Sequence, residues 1–171
     1  MKYTGFDKVA TNKLAGTEKF VELCQRRWAF GNLGTLNVRL MRSAPKGMTL
    51  SSPDAKKYMS VHATGRAADI SFPDTKEGRA KAVQAMNWFV ANYEALGIEE
   101  VHDYSGLTKA GCGEWGRGWR CNRNGKPAWK DWTAQDNGGT PKAKWIHVEL
   151  SPEFAVDAVK LETAWRALPK P

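Results

Sequence analysis

The 171-residue chain holds only three cysteines and three histidines, has no long apolar run and no internal repeat, and each shortage narrows what it can be. Cys24, Cys112 and Cys121 are an odd set, so at least one thiol has no intramolecular partner. Cys24 falls on the apolar stripe of the first predicted helix and reads as a small buried hydrophobe. Cys112 and Cys121 bracket a stretch rich in Gly and Trp; free thiols are the default there, and a disulfide across the loop is the alternative outside a reducing compartment. A structural metal site at that loop would need two further ligands that the local sequence does not offer. No run of eighteen apolar residues occurs, which excludes a transmembrane helix, and the opening residues lack the apolar core of a signal peptide. With 42% hydrophobic residues and no low-complexity linker, the expectation is one well-cored domain spanning residues 1–171, made in the cytoplasm without a signal peptide and not inserted in a membrane.

What the chain does carry is positive charge. A net +8 implies attraction to polyanions, among them nucleic acid, anionic lipid and the acidic polymers of a bacterial wall. No recognition helix, finger or aromatic-sheet motif accompanies the charge, so a nucleic-acid partner is not expected.

Periodicity predicts an α+β order. Residues 16–30 read as a helix with Phe20, Val21, Cys24 and Trp28 at helical spacing, ended by the glycines at 31 and 34. Residues 36–41 alternate as a strand. A second helix is expected from Asp74, with Glu77 as its capping partner and Val83, Met86, Val90 and Tyr93 on its apolar face, stopping at Gly97. Residues 98–104 read as a short strand, and residues 105–141, with Trp115, Trp119, Trp129 and Trp132, as aperiodic binding loops. Ser151 and Pro152 start a C-terminal helix over 151–168, with Phe154, Ala158, Leu161, Trp165 and Leu168 facing the sheet.

The most informative segment holds Ser60, His62, Gly65, Ala67 and Asp69, an imidazole and a carboxylate seven residues apart across a glycine-containing bend. A catalytic zinc ion takes three ligands of this kind and leaves a position open, so a third is required elsewhere. His147 is the candidate. Side chains alternate along a strand: in 67–72, Ile70 and Phe72 fall opposite Asp69, and in 145–150, Ile146, Val148 and Leu150 fall opposite Trp145, His147 and Glu149. Two neighbouring strands could therefore present Asp69 and His147 to one cleft, with His62 arriving from the preceding loop. His102 lacks ligand spacing and reads as a surface residue or a support for a ligand, and Glu149 as a ligand-orienting or exposed group.

These motifs resemble the zinc D-Ala-D-Ala carboxypeptidases and phage L-alanyl-D-glutamate endopeptidases, whose fold is also seen in Hedgehog signalling domains. The likeness runs from about Arg39 to Leu150: Ser60, His62, Gly65, Ala67 and Asp69 match the first motif, Trp145, His147 and Glu149 the last, and Arg42 with Ser43 an upstream Arg-Ser. It implies a single α+β domain of the Hedgehog/D,D-peptidase type, a small mostly antiparallel sheet flanked by helices, with a metal-site core over 36–150. It implies Zn2+ held by His62, Asp69 and His147, catalytic roles for Arg42 and Lys144, and substrate contacts from Ser60 and Trp145. The implied protein is a monomeric peptidase acting on the stem peptide of peptidoglycan, a phage endolysin or virion-associated lytic enzyme reaching the wall after release or from the virion.

One position departs from the pattern. Such enzymes carry Glu or Asp three residues before the last zinc-binding His, as general base; here Lys144 stands there, and an ammonium with a pKa of ~10.4 does not accept a proton at neutral pH. Either another carboxylate serves, with Asp103, Glu114, Asp131 and Asp136 available, or Lys144 acts electrostatically, or catalysis is lost and the domain is a zinc-stabilised cell-wall binding module.

Overall fold

Strand parity builds the sheet. A computed structural model describes residues 1–136 and 141–171. It contains six strands, β1 (Gly31–Gly34), β2 (Ala67–Ser71), β3 (Ile98–Asp103), β4 (Arg117–Arg123), β5 (Lys126–Asp131) and β6 (Trp145–Leu150), and five helices, α1 (Ala15–Trp28), α2 (Lys76–Ala91), α3 (Tyr93–Leu96), α4 (Pro152–Val156) and α5 (Ala158–Ala167). The strands form one antiparallel sheet in the order β1-β2-β6-β3-β4-β5. This is the single α+β domain that the periodicity predicts. The alternate residues Ala68, Ile70, Val101, Ile146, Val148 and Leu150 face the helices and are buried. The opposite face is polar, and it carries the candidate site.

The helical layer closes on aromatic rings. Phe20 and Trp28 of α1, Phe89 of α2 and Trp165 of α5 meet at centroid separations of 5.2–6.3 Å, mostly tilted or edge to face. Burying each such ring contributes roughly 1.5–3 kcal/mol. Gly16 permits the close approach of α1 and α4, since a Cβ there would sit 1.9 Å from the Phe154 carbonyl oxygen.

Several boundaries differ from the sequence expectation, each for a local reason. Residues 31–34, read as the end of the first helix, form edge strand β1, because α1 already stops at Ala29 in a left-handed conformation. Residues 36–41 are not a sheet strand. Their backbone instead bonds the loop that carries His62: Asn37 N–H donates to His62 O, Arg39 O accepts from Ser60 N–H, and Met41 N–H donates to Tyr58 O. In α2 the cap is Thr75, whose Oγ1 accepts from Gly78 N–H, while Asp74 is taken by Arg79 and Lys144. Its buried face is Ala82, Ala85, Met86 and Phe89, so Val83 and Val90 lie at the margin. The C-terminal helix breaks at Asp157, which caps α5 by accepting from Lys160 N–H.

The largest correction concerns residues 105–141, of which 137–140 lie outside the described residues. The stretch contains the β4–β5 hairpin, turned at Asn124 and Gly125 with φ of 56° and 89°. An Asn-Gly pair supplies the two positive φ values that a tight hairpin needs. All three cysteines are free thiols.

Candidate metal centre

The register sets the site. Asp69 of β2 and His102 of β3 both lie directly opposite His147 of β6, so three adjacent strands carry one row of metal-binding residue types on the polar face. A second row, one pair further along, holds Glu149, Glu100 and Arg120. His62 enters from a 3-10 turn (Val61–Thr64) whose cap is Ser60: its Oγ accepts from His62 N–H at 3.3 Å, and Gly65 ends the turn at φ 71°. Ser60 thus positions a candidate ligand and also lines the cleft.

Three side chains converge. His62 Nε2 lies 3.1 Å from His147 Nδ1 and 3.2 Å from Asp69 Oδ2, and Asp69 Oδ1 lies 2.8 Å from His147 Nδ1. The group is mostly buried and could hold a metal ion. Tetrahedral arms of about 2.0–2.1 Å put donors about 3.3–3.4 Å apart, within a few tenths of an ångström of these separations. The donor chemistry fits as well. His147 Nε2–H donates to Glu149 Oε1 at 3.1 Å, which leaves the Nδ1 lone pair facing a carboxylate oxygen and another imidazole nitrogen. Such a meeting of acceptors requires a cation between them, a proton or a metal.

The electrostatics express that requirement. Burial works against an imidazolium at His147, but hydrogen bonds to Asp69 and Glu149 and their charges push its pKa up to about 10. Burial also opposes the charge on Asp69, yet hydrogen bonds from His147 and His62 outweigh it and hold the carboxyl well below the usual carboxylate range. A proton and a metal ion would therefore compete for the same place.

A cleft of 380 Å³ opens beside the cluster, lined among others by Tyr3, Arg39, Ser60, His102, Tyr104 and Trp132. Arg39 also borders a pocket of 170 Å³ against His62 and Asp69. His102 Nδ1 lies 3.0 Å from Tyr104 Oη, and its Nε2 lies 3.0 Å from Glu100 Oε1. The Arg120 guanidinium grips Glu100 through Nε and Nη2. Gly118, opposite His102, leaves room for the Trp132 indole, whose ring lies 5.2 Å from that of His102; a Cβ there would come within 2.0 Å of it.

Other sequence candidates lie apart from the cluster. Lys144 precedes β6, points to the other side of the strand from His147, and pairs with Asp74 at 2.5 Å with its side chain 57% exposed. Arg42 is exposed and stacks on Trp115 at 5.0 Å. Trp145 packs against Tyr104 at 5.6 Å, one alternate position from His147. Of the four acidic side chains considered as bases, Asp136 borders the cleft but is tied to Lys130 and Thr133, Asp103 accepts from Thr108, Asp131 pairs with Lys109, and Glu114 is exposed. Sequence reasoning missed Arg39, Glu100, Tyr104, Arg120 and Tyr3. Parity flags Glu100 and His102, which flank the buried Val101; the others have no local signature.

No curated protein and no solved structure matches the chain. A family model described as VldE, C-terminal domain, matches residues 34–145, about two thirds of the sequence. The match takes in His62 and Asp69 and ends two residues before His147, so the third donor lies just beyond it. The chain belongs to the VldE C-terminal domain family.

Proposed function

We propose that this domain is a zinc-dependent peptidase that hydrolyses an amide bond in the stem peptide of peptidoglycan. The observation that carries the reading is the convergence of His62 Nε2, the Asp69 carboxylate and His147 Nδ1 beside an open cleft, the two-His, one-carboxylate donor set of catalytic zinc sites. The motif resemblance supplies the substrate class and the Hedgehog/D,D-peptidase type of fold. When bound, zinc supplies Lewis-acid polarisation of the scissile carbonyl and acidifies the attacking water.

The chain's own residues supply the rest. Glu149 fixes the tautomer of His147 by accepting its Nε2–H. Arg39, rather than Arg42, borders both cavities beside the cluster and is the guanidinium placed to hold a substrate carbonyl oxygen as it gains charge. With Lys144 turned toward Asp74, proton handling falls to His102 and Tyr104, which share a hydrogen between Nδ1 and Oη on the cleft wall. Lys56, Lys57 and Arg39 line one part of the cleft and could meet the carboxylates of stem peptides, while Arg120 is held by Glu100. A phage lytic enzyme is the setting this reading implies.

A second reading keeps the metal and drops the chemistry, a zinc-stabilised module that binds wall peptides. Lys144 at the position of the missing carboxylate favours it. Incubating purified peptidoglycan with zinc-loaded protein and mass-analysing the soluble fragments separates the two. New amine and carboxyl ends at one stem position are the peptidase result; binding to the sacculi with no release is the module result.

A further inference from the structure

The segment before α1 has no regular secondary structure, yet three consecutive residues of it bond buried charged groups of the sheet and its flank. The Tyr3 hydroxyl donates to Glu149 Oε2 at 2.9 Å. Thr4 donates to both oxygens of Glu99, through N–H at 3.1 Å and Oγ1 at 2.6 Å. The Gly5 carbonyl accepts from Arg66, a side chain only 2% exposed that also holds Glu99 and the Leu150 carbonyl. Gly5 turns the chain at φ 62°, tight against the Tyr3 ring, and the Arg120 guanidinium stacks on that ring at 3.9 Å.

Glu149 is the point where this segment meets the metal centre. One of its oxygens accepts from His147 Nε2–H and the other from Tyr3 Oη–H, so the two hydrogen bonds fix the carboxylate from opposite ends. Burial first, and the Glu149 charge second, keep the Tyr3 phenol protonated and therefore a donor. Without the hydroxyl, the outer oxygen of a buried carboxylate would lose its protein donor, and the group that orients the His147 ring would lose its second anchor.

We propose that Tyr3, carried on the segment of residues 3–5, sets the metal affinity of the site as a positioning residue acting through Glu149 on His147. The proposal rests on the metal reading of the His62, Asp69 and His147 cluster and needs no hydrolytic activity. Removing groups that hold a metal ligand from behind typically weakens metal binding by about 10–100-fold; Tyr3→Phe, one contact further out, belongs at the lower end, about tenfold.

Zinc affinity is measured by competition with a chromophoric chelator, and the visible spectrum is recorded after cobalt substitution, for wild type, Tyr3→Phe and Thr4→Val. Tyr3→Phe keeps the ring under Arg120 and deletes only the hydroxyl; Thr4→Val loosens the segment at Glu99 without touching Glu149. The expected result is a roughly tenfold loss and a shifted cobalt spectrum in Tyr3→Phe alone. A Tyr3→Phe affinity within twofold of wild type overturns the proposal, as does an equal loss in Thr4→Val or a Tyr3→Phe protein that fails to fold without metal, since either makes the hydroxyl a general structural contact. A wild type that binds no zinc removes the metal reading and the Tyr3 proposal together.

Discussion

Replacing Asp69 with alanine takes away one of three converging donors and the anion that lies between two imidazoles, 2.8 Å from one and 3.2 Å from the other. Because the metal-free site is also held by this carboxylate, the melting temperature alone confounds two effects, and the informative quantity is the difference between zinc-loaded and chelated protein. A ligand at a hundredfold excess over its dissociation constant adds about 2.7 kcal/mol, and each kcal/mol moves a domain of this size by about 2–4 °C, so zinc should raise the wild-type midpoint by roughly 5–10 °C. In Asp69→Ala, as in His62→Ala and His147→Ala, the zinc-induced rise should vanish at the same metal concentration, because two remaining donors hold the ion far more weakly. Differential scanning fluorimetry with and without chelator reads this directly. A rise of wild-type size in Asp69→Ala or His147→Ala would place the metal elsewhere and remove the cluster from the account.

Three further outcomes follow from the site's surroundings. Arg39→Ala should lower the hydrolysis rate on the order of 10²–10³-fold with zinc affinity kept, whereas Arg42→Ala should cost far less; the reverse order would return the role to Arg42. Lys144→Ala should leave zinc affinity unchanged and the rate nearly so, since its ammonium is spent on Asp74; abolition of activity would make Lys144 catalytic. Burial opposes the charge on Glu100, but His102 and Arg120 hold its carboxyl down to about 2 against an ordinary 4.5, so the stabilisation it gives is complete above about pH 4.5 and is lost as the pH falls toward 2. Arg120→Met should move the acid-unfolding midpoint of the chelated protein to higher pH, and an unchanged midpoint would contradict that linkage.

The convergence of His62, Asp69 and His147 was legible in the sequence because it depends on period-two alternation and on one spacing. Ile70, Val148 and Leu150 are core residues, which leaves Asp69 and His147 on the opposite face, and the register then sets them side by side. The amphipathic stripe of α1 was legible for the same kind of reason. Residues 36–41 alternate like a strand, yet the nearest free backbone groups belong to the loop at 58–62, and pairing there brings Arg39 to the cleft. Strand β4 was hidden because Arg117, Gly118 and Arg120 look like loop composition; Arg120 is accommodated by Glu100, and Gly118 by an indole, both contacts distant in sequence. Tyr3 is the extreme case, 146 residues from the carboxylate that it holds.

The central claim, a metal-dependent hydrolase built on His62, Asp69 and His147, is tested most directly by adding zinc stepwise to chelator-stripped protein and following amine release from purified peptidoglycan. The account predicts a rate that rises with occupancy, saturates at one zinc per chain and is absent in Asp69→Ala at every zinc level. Fully zinc-loaded wild type that releases nothing, or stripped protein that hydrolyses as fast as loaded protein, would contradict it.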